Sequence, residues 1–157
     1  MLSLPIQKVQ LENGDFHIGE FTKNDLQGQL TILYFYPKDD TPGCTIEGCG
    51  FRDLNESIDK TKIAIIGVSR DDINSHKKFI FKHNLNFTLV ADIHLELAKE
   101  FGVMKEKSMF GKKFLTNERS TFVIDNEGKV MQEFRNVNPI LHLKELKDYL
   151  AKTNLIV

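Results

Sequence analysis

A chain of 157 residues, 41% hydrophobic and 27% charged, can bury one full core and suits a single domain spanning residues 1–157. Its formal net charge of -1 offers no electrostatic ground for holding nucleic acid or an anionic membrane surface. No apolar run approaches the roughly 20 residues needed to span a bilayer, and residues 1–6 carry no basic-then-apolar secretory pattern, so the expected location is the cytoplasm.

The first 29 residues are mixed and turn-rich. Asn13-Gly14, between apolar triplets at residues 9–11 and 16–18, predicts a β-hairpin, since both residues tolerate the backbone of a two-residue turn. Residues 23–26 before Gly28 suggest a short helical turn. The apolar run at residues 30–36 reads as the first buried strand. A polar loop follows, and a helix is expected from Pro42 to about Leu54. Residues 62–69 are almost continuously apolar, the mark of a central parallel strand buried on both faces. Asp71 or Asp72 then caps a helix whose inward stripe holds Ile73, Phe79 and Ile80. A short strand is expected at residues 85–90 and a short helix at 94–101, closed by Gly102. Residues 103–118 read as an irregular basic loop, with Lys105, Lys107, Lys112 and Lys113 solvated and Met109 and Phe110 placed to pack over a site or a partner. Residues 120–124 and 130–134 flank Asp125-Asn-Glu-Gly128 as a second hairpin. Asn138-Pro139 starts the last helix, which runs to about Lys152 with Leu143, Leu146 and Leu150 on its apolar face. Parallel units followed by a hairpin predict an α/β protein: a thioredoxin-like fold with a central mixed β-sheet flanked by helices, plus the N-terminal hairpin.

Both cysteines, Cys44 and Cys49, lie in the helix expected after the first strand and its polar loop. Two are too few for a disulfide scaffold, and a close pair in a reducing compartment points to redox chemistry. Spacing of five lacks the four-ligand pattern of a metal site, so neither a metal nor a cofactor is expected. Cys44 follows Pro42 by two residues, at the mouth of a helix where unpaired N–H groups and the dipole favour a thiolate. Ionisation alone does not make a fast enzyme: an ordinary thiol, of pKa about 8.5, gains roughly thirty-fold in thiolate at most and loses nucleophilicity with every unit. Groups that stabilise a transition state are required as well. Thr41 places a hydroxyl three residues before Cys44, Pro37 ends the strand beside it, and Arg119 precedes a strand able to bring a guanidinium to the same sheet edge. A hydroxyl and a guanidinium suit the charge that develops when a thiolate splits an O–O bond.

The frame Pro37-x-x-x-Thr41-x-x-Cys44 resembles the active-site motif of the peroxiredoxins. The longer string Phe35-Tyr-Pro-Lys-Asp-Asp-Thr-Pro-Gly-Cys-Thr-Ile-Glu-Gly-Cys-Gly-Phe-Arg-Asp53 is similar to the bacterioferritin comigratory protein, or peroxiredoxin Q, branch. The resemblance continues through residues 66–69, 75–79, 98–103, 111–113 and 119–125. It implies that Cys44 is the peroxidatic cysteine, that Cys49 resolves it in an intramolecular disulfide, and that Pro37, Thr41, Gly43 and Arg119 frame the peroxide. The implied substrates are hydrogen peroxide and organic hydroperoxides, with thioredoxin or a similar dithiol as reductant. A resolving cysteine in the same chain favours a monomer. Arg70 and Thr88 stand where the branch usually has prolines, and Met104 where it often has tryptophan; none touches the catalytic motif.

Five residues of ideal helix separate two Cα atoms by roughly 8.7 Å, beyond the ~6.8 Å a disulfide tolerates. Gly48 and Gly50 bracket Cys49 and weaken the helix, so local unwinding around Cys49 is expected after Cys44 is oxidised. Glu47, one turn after Cys44, is a candidate for tethering the helix or tuning the site, and Arg52 reads as a packing or ion-pair residue. The helical patterns around His76, His83 and His94 read as solvated, and His17 and His142 offer no better case. Two other functions stand as alternatives to the peroxidase. A thioredoxin-type disulfide oxidoreductase would use the shorter Cys-x-x-Cys spacing, and a redox-gated sensor or holdase would use the helix-to-loop change to expose a surface.

Overall fold

The computed structural model describes residues 5–156; residues 1–4, part of the stretch read as lacking a secretory signal, and Val157 lie outside the described residues. In chain order the elements are β1 (Ile6–Glu12), β2 (Asp15–Phe21), a 3-10 turn (Lys23–Leu26), β3 (Leu30–Phe35), α1 (Pro42–Ser57), β4 (Ile63–Ser69), α2 (Ile73–His83) and β5 (Thr88–Ala91). There follow α3 (Glu96–Glu100), β6 (Met104–Met109), β7 (Lys112–Asn117), β8 (Ser120–Ile124), β9 (Val130–Phe134) and α4 (His142–Lys152). The main sheet has the order β2-β1-β5-β4-β3-β8-β9, with β4 parallel to both neighbours and the remaining pairs antiparallel. This is the mixed sheet expected, with the N-terminal hairpin at one edge and its turn made by Asn13 and Gly14 at φ 52° and 83°.

Period-two alternation along β3 divides the interior. Ile32, Tyr34 and Tyr36 face one layer with Phe51 and Leu54 of α1, Phe79 and Ile80 of α2, and Leu146 and Leu150 of α4. Leu33 and Phe35 face the other, with Ile66, Val68, Leu97 and Phe122. Each such side chain, fully buried, contributes about 1.5–3 kcal/mol of apolar transfer, so β3 and α1 are held rigidly where the cysteines begin. The Tyr34 and Phe51 rings stack at 4.0 Å, pinning α1 to the strand beneath it.

Several expectations need correction. Residues 103–118 are not irregular: β6 and β7 pair as a separate antiparallel hairpin, from Met104 opposite Asn117 to Met109 opposite Lys112. Phe110 and Gly111 form its two-residue turn at φ 52° and 78°. The pattern was hidden because little of this hairpin is buried, so its strands lack apolar alternation. The strand expected at residues 85–90 begins only at Thr88; Leu85 and Phe87 are buried from the preceding loop. The short helix is confined to Glu96–Glu100, where Asp92 accepts from Leu97 N and Ala98 N. The last helix starts at His142 instead of Asn138, whose Oδ1 caps a preceding turn by accepting from Ile140 N and Leu141 N. α1 runs one turn further than expected, to Ser57.

Candidate active site

β3 ends at Phe35, and Tyr36 N still donates to Val68 O before the chain leaves the sheet. The loop of residues 37–41 is then tied to α2 at two points. Asp39 accepts from Tyr36 Oη at 2.5 Å and Ser75 Oγ at 2.8 Å, and meets His76 Nδ1 at 2.7 Å. Asp40, in a left-handed conformation at φ 58°, pairs with Lys82 and His83, which hold its carboxyl below the usual carboxylate range. Thr41 turns its hydroxyl back to Lys38 O at 3.0 Å instead of capping α1, while its carbonyl accepts Thr45 N. Pro42 occupies the first helical turn as expected, and Cys44 lies within that turn, its side chain buried.

Arg119 arrives from the linker between β7 and β8. Because β8 runs antiparallel to β3 with Ser120 opposite Phe35, the residue before Ser120 falls beside the start of the loop. Its guanidinium spans two groups: Nη2 lies 3.3 Å from Cys44 Sγ and Nη1 donates to Glu47 Oε1 at 2.8 Å. Burial opposes the charge on Arg119, but Glu47 and Cys44 outweigh it and raise its pKa further. Burial dominates at Glu47, pushing its carboxyl up to about 7 against the opposing pull of Arg119. Its Oε2 and Tyr34 Oη are buried without a hydrogen-bond partner. Gly43 leaves this approach close: a Cβ there would stand 3.2 Å from Arg119 Nη2 and 3.3 Å from Pro139 Cγ, tighter than an ordinary contact.

Pro37, Thr41 and Arg119 open onto a cleft of about 430 Å³. Its other walls are Lys38, Arg70, Asp71, Lys107, Met109, Phe114 and Thr116. The β6–β7 hairpin therefore forms one side of the cleft, which the reading as a solvated loop missed for all but Met109. Phe110, at the hairpin tip, is almost wholly exposed. Arg70 is held against this hairpin by a bond to Leu115 O at 2.7 Å and by the Phe114 ring.

Both thiols are free, and α1 is continuous through them. Cys49 is half-buried, with Arg52 Nη1 3.7 Å from its sulfur. The two bracketing glycines differ in their surroundings. A Cβ on Gly50 would lie 2.7 Å from Leu143 Cγ, so α1 and α4 interlock there. One on Gly48 would meet only ordinary contacts, the nearest Phe79 at 3.5 Å.

The reading of His76 as a solvated residue is overturned. His76 is fully buried between Asp39 and Val90 O, and His142 is buried with Nε2 2.7 Å from Thr121 Oγ1 and its pKa lowered by burial. Spacing held a signal for the first: 76 shares the i, i+3, i+4, i+7 stripe with Ile73, Phe79, Ile80 and His83. His83 is partly covered against Asp40, and His94 is exposed as expected.

A model of the AhpC/TSA family matches residues 4–133 of the chain. Peroxiredoxin Bcp of Bacillus subtilis is 48% identical over 139 residues, covering 85% of this chain and 88% of the relative. Peroxiredoxin Bcp of Escherichia coli K12 is 41% identical over 128 residues, 82% of each. Among solved structures, Xanthomonas campestris peroxiredoxin Q superposes with a TM-score of 0.80 at 40% identity, covering 95% of this chain and 90% of that one.

Proposed function

From the premise that this chain belongs to the AhpC/TSA family and is a thiol peroxidase of the peroxiredoxin Bcp and Q branch, we propose how its residues divide the work. Cys44 is the peroxidatic cysteine. Its thiolate attacks one oxygen of the hydroperoxide, the O–O bond breaks, and Cys44 becomes a sulfenic acid while the alkoxide or hydroxide leaves and takes a proton. Arg119 stabilises the negative charge first on sulfur and then on the departing oxygen, and Thr41 is the hydroxyl donor once its hydroxyl turns from Lys38 O to the substrate. Pro37 and Gly43 shape the approach, and Glu47 fixes the guanidinium. The observation that carries this reading is the single guanidinium spanning Cys44 Sγ and Glu47 at the end of the cleft.

Cys49 then condenses with the sulfenic acid to give an intramolecular disulfide. Because α1 is regular across both cysteines, this requires the segment bearing Cys49 to unwind. Thioredoxin or a similar dithiol reopens the disulfide. Hydrogen peroxide and organic hydroperoxides are the substrates, and the Xanthomonas campestris relative has been studied for alkyl peroxide reduction. We place the enzyme in the cytoplasm as a one-domain monomer, because a reactive thiol pair suits a reducing compartment and resolution within one chain needs no partner subunit.

Peroxide titration of the reduced protein with mass spectrometry of the Cys44 and Cys49 peptides tests this reading. One equivalent is expected to yield the Cys44–Cys49 disulfide, and Cys49→Ser to stop at a Cys44 sulfenic acid. A Cys49→Ser enzyme that turned over normally with thioredoxin would remove Cys49 from the cycle. Oxidation no faster than that of free cysteine would remove Cys44.

A further inference from the structure

We propose that Arg70 makes the enzyme select organic hydroperoxides that carry a carboxylate, a reading that rests on the cleft at Arg119 being the peroxide site. Beyond Pro37, Thr41 and Arg119, two kinds of side chain dominate the cleft wall. Met109 and Phe114 of the β6–β7 hairpin offer apolar surface, and Lys38, Arg70 and Lys107 offer three cations. Asp71 is the one carboxylate in the wall, and its Oδ2 already accepts from Ser69 Oγ at 2.6 Å and Asp39 N at 2.8 Å. None of the three cations has an ion-pair partner among the described residues. Arg70 is the fixed member of the set. Its Nη1 donates to Leu115 O at 2.7 Å, and the guanidinium lies over the Phe114 ring at 5.8 Å. Nε and Nη2 hold no hydrogen bond among the described residues. Those two nitrogens form one edge of the guanidinium, the fork that matches the two oxygens of a carboxylate.

The bonds made and broken at Cys44 stay the same, and the carboxylate keeps its charge throughout. Its contribution is binding and orientation: it anchors the far end of a substrate whose peroxide oxygen faces Cys44. The carbon between the two ends rests on Met109 and Phe114, and the exposed Lys38 and Lys107 add attraction at longer range. Hydrogen peroxide has no far end and gains nothing from Arg70. Arg70 also fastens the loop after β4 to the hairpin through Leu115 O. A purely structural role would therefore alter the reaction with every peroxide alike, whereas charge recognition changes the ratio between a charged peroxide and a neutral one.

The test measures kcat/KM for the para-carboxylate of cumene hydroperoxide and for its methyl ester, which keeps the shape without the charge. The parent is expected to prefer the carboxylate about tenfold at low salt, and less than about threefold in about 0.5 M sodium chloride. Arg70→Met is expected to cut the low-salt preference to about twofold, and Arg70→Lys to keep about half of it. A parent preference under about twofold, a preference that salt leaves alone, or one that Arg70→Met leaves intact overturns the assignment. Should Arg70→Met fold poorly, Arg70→Gln must lower the ratio in the same way or the assignment falls. Arg119→Met in parallel separates the two readings. A loss of about 100-fold with both probes upholds the cleft as the peroxide site, so that a flat parent ratio then sinks the role of Arg70 alone. Unchanged rates with both probes remove the site, and the role of Arg70 with it.

Discussion

Glu47 and Arg119 meet at 2.8 Å within the protein, and the same guanidinium reaches Cys44 with its other nitrogen at 3.3 Å. Two helix positions one turn apart are thereby served by one side chain from the distant linker between β7 and β8. The carboxyl is buried and only half satisfied, since Oε2 has no partner.

Replacing Arg119 tests its weight in the chemistry. Losing one donor to a developing oxyanion costs about 10²–10³ in rate in comparable sites, and Arg119→Met is expected to lose about 100-fold in peroxide kcat/KM. Arg119→Lys should recover little, because one ammonium does not span both Cys44 and Glu47 as the guanidinium does. Stopped-flow oxidation by hydrogen peroxide measures both, and a loss under threefold for Arg119→Met would count against a direct role.

Glu47 makes stability depend on pH in a defined direction. Its carboxyl is raised from 4.5 to about 7 by burial, so between those values the folded chain holds a proton that the unfolded chain has lost. Stability from this group is therefore fully present below about pH 4.5 and falls as pH rises to about 7, by of order 3 kcal/mol. Urea unfolding of the parent and Glu47→Gln near pH 5 and pH 8 measures the difference. The variant is expected to lose less stability over that interval, and equal losses would show that Glu47 does not titrate there.

The two glycines beside Cys49 are expected to behave oppositely. Gly50→Ala drives a Cβ to 2.7 Å from Leu143 Cγ, and its overpacking cost of about 1–3 kcal/mol exceeds the gain in helix propensity. Gly48→Ala meets no such clash and should stabilise the helix by up to about 1 kcal/mol. If unwinding precedes the disulfide, Gly48→Ala should also slow its formation up to about fivefold while leaving Cys44 oxidation unchanged. Thermal melts and quenched oxidation time courses separate the two variants.

Asp39 is expected to be costly to replace. Its carboxyl gathers Tyr36, Ser75 and His76 below the surface, and Asp39→Leu leaves all three without that partner. A loss of about 3 kcal/mol is expected from the unpaired buried groups. Peroxide reactivity should fall with it, because the loop carrying Pro37 and Thr41 is moored there. Denaturant titration and peroxide kinetics on the same sample check both effects.

The placement of Cys44 at a helix mouth could be read from the sequence because its signals are local. Pro42 at the helix start, the apolar run of β3 and the spacing from Thr41 to Cys44 all act within a few residues. Arg119 could be proposed because a strand beside β3 would bring its N-terminal neighbour to the loop, and the antiparallel register of β8 does so. What sequence reading missed depends on tertiary contacts. The β6–β7 hairpin is largely exposed and has no apolar stripe to show its period, so its place as a cleft wall was invisible. His76 reads as solvated from the sequence because its partners come from elsewhere in the chain, Asp39 from the loop after β3 and Val90 O from β5. The part played by Gly50 was half seen: its weakness in a helix is local, but its fit against Leu143 exists only once α4 has docked.

That fit carries information outward. Gly50 sits in the turn that must open if the cysteines are to join, and Leu143 belongs to the last helix of the described chain. Opening the turn withdraws the surface on which Leu143 rests, so the oxidation history of a thiol buried near the sheet is written in the solvent protection of the C-terminal amides. Hydrogen exchange along α4 would then read the redox state of the enzyme without touching either sulfur.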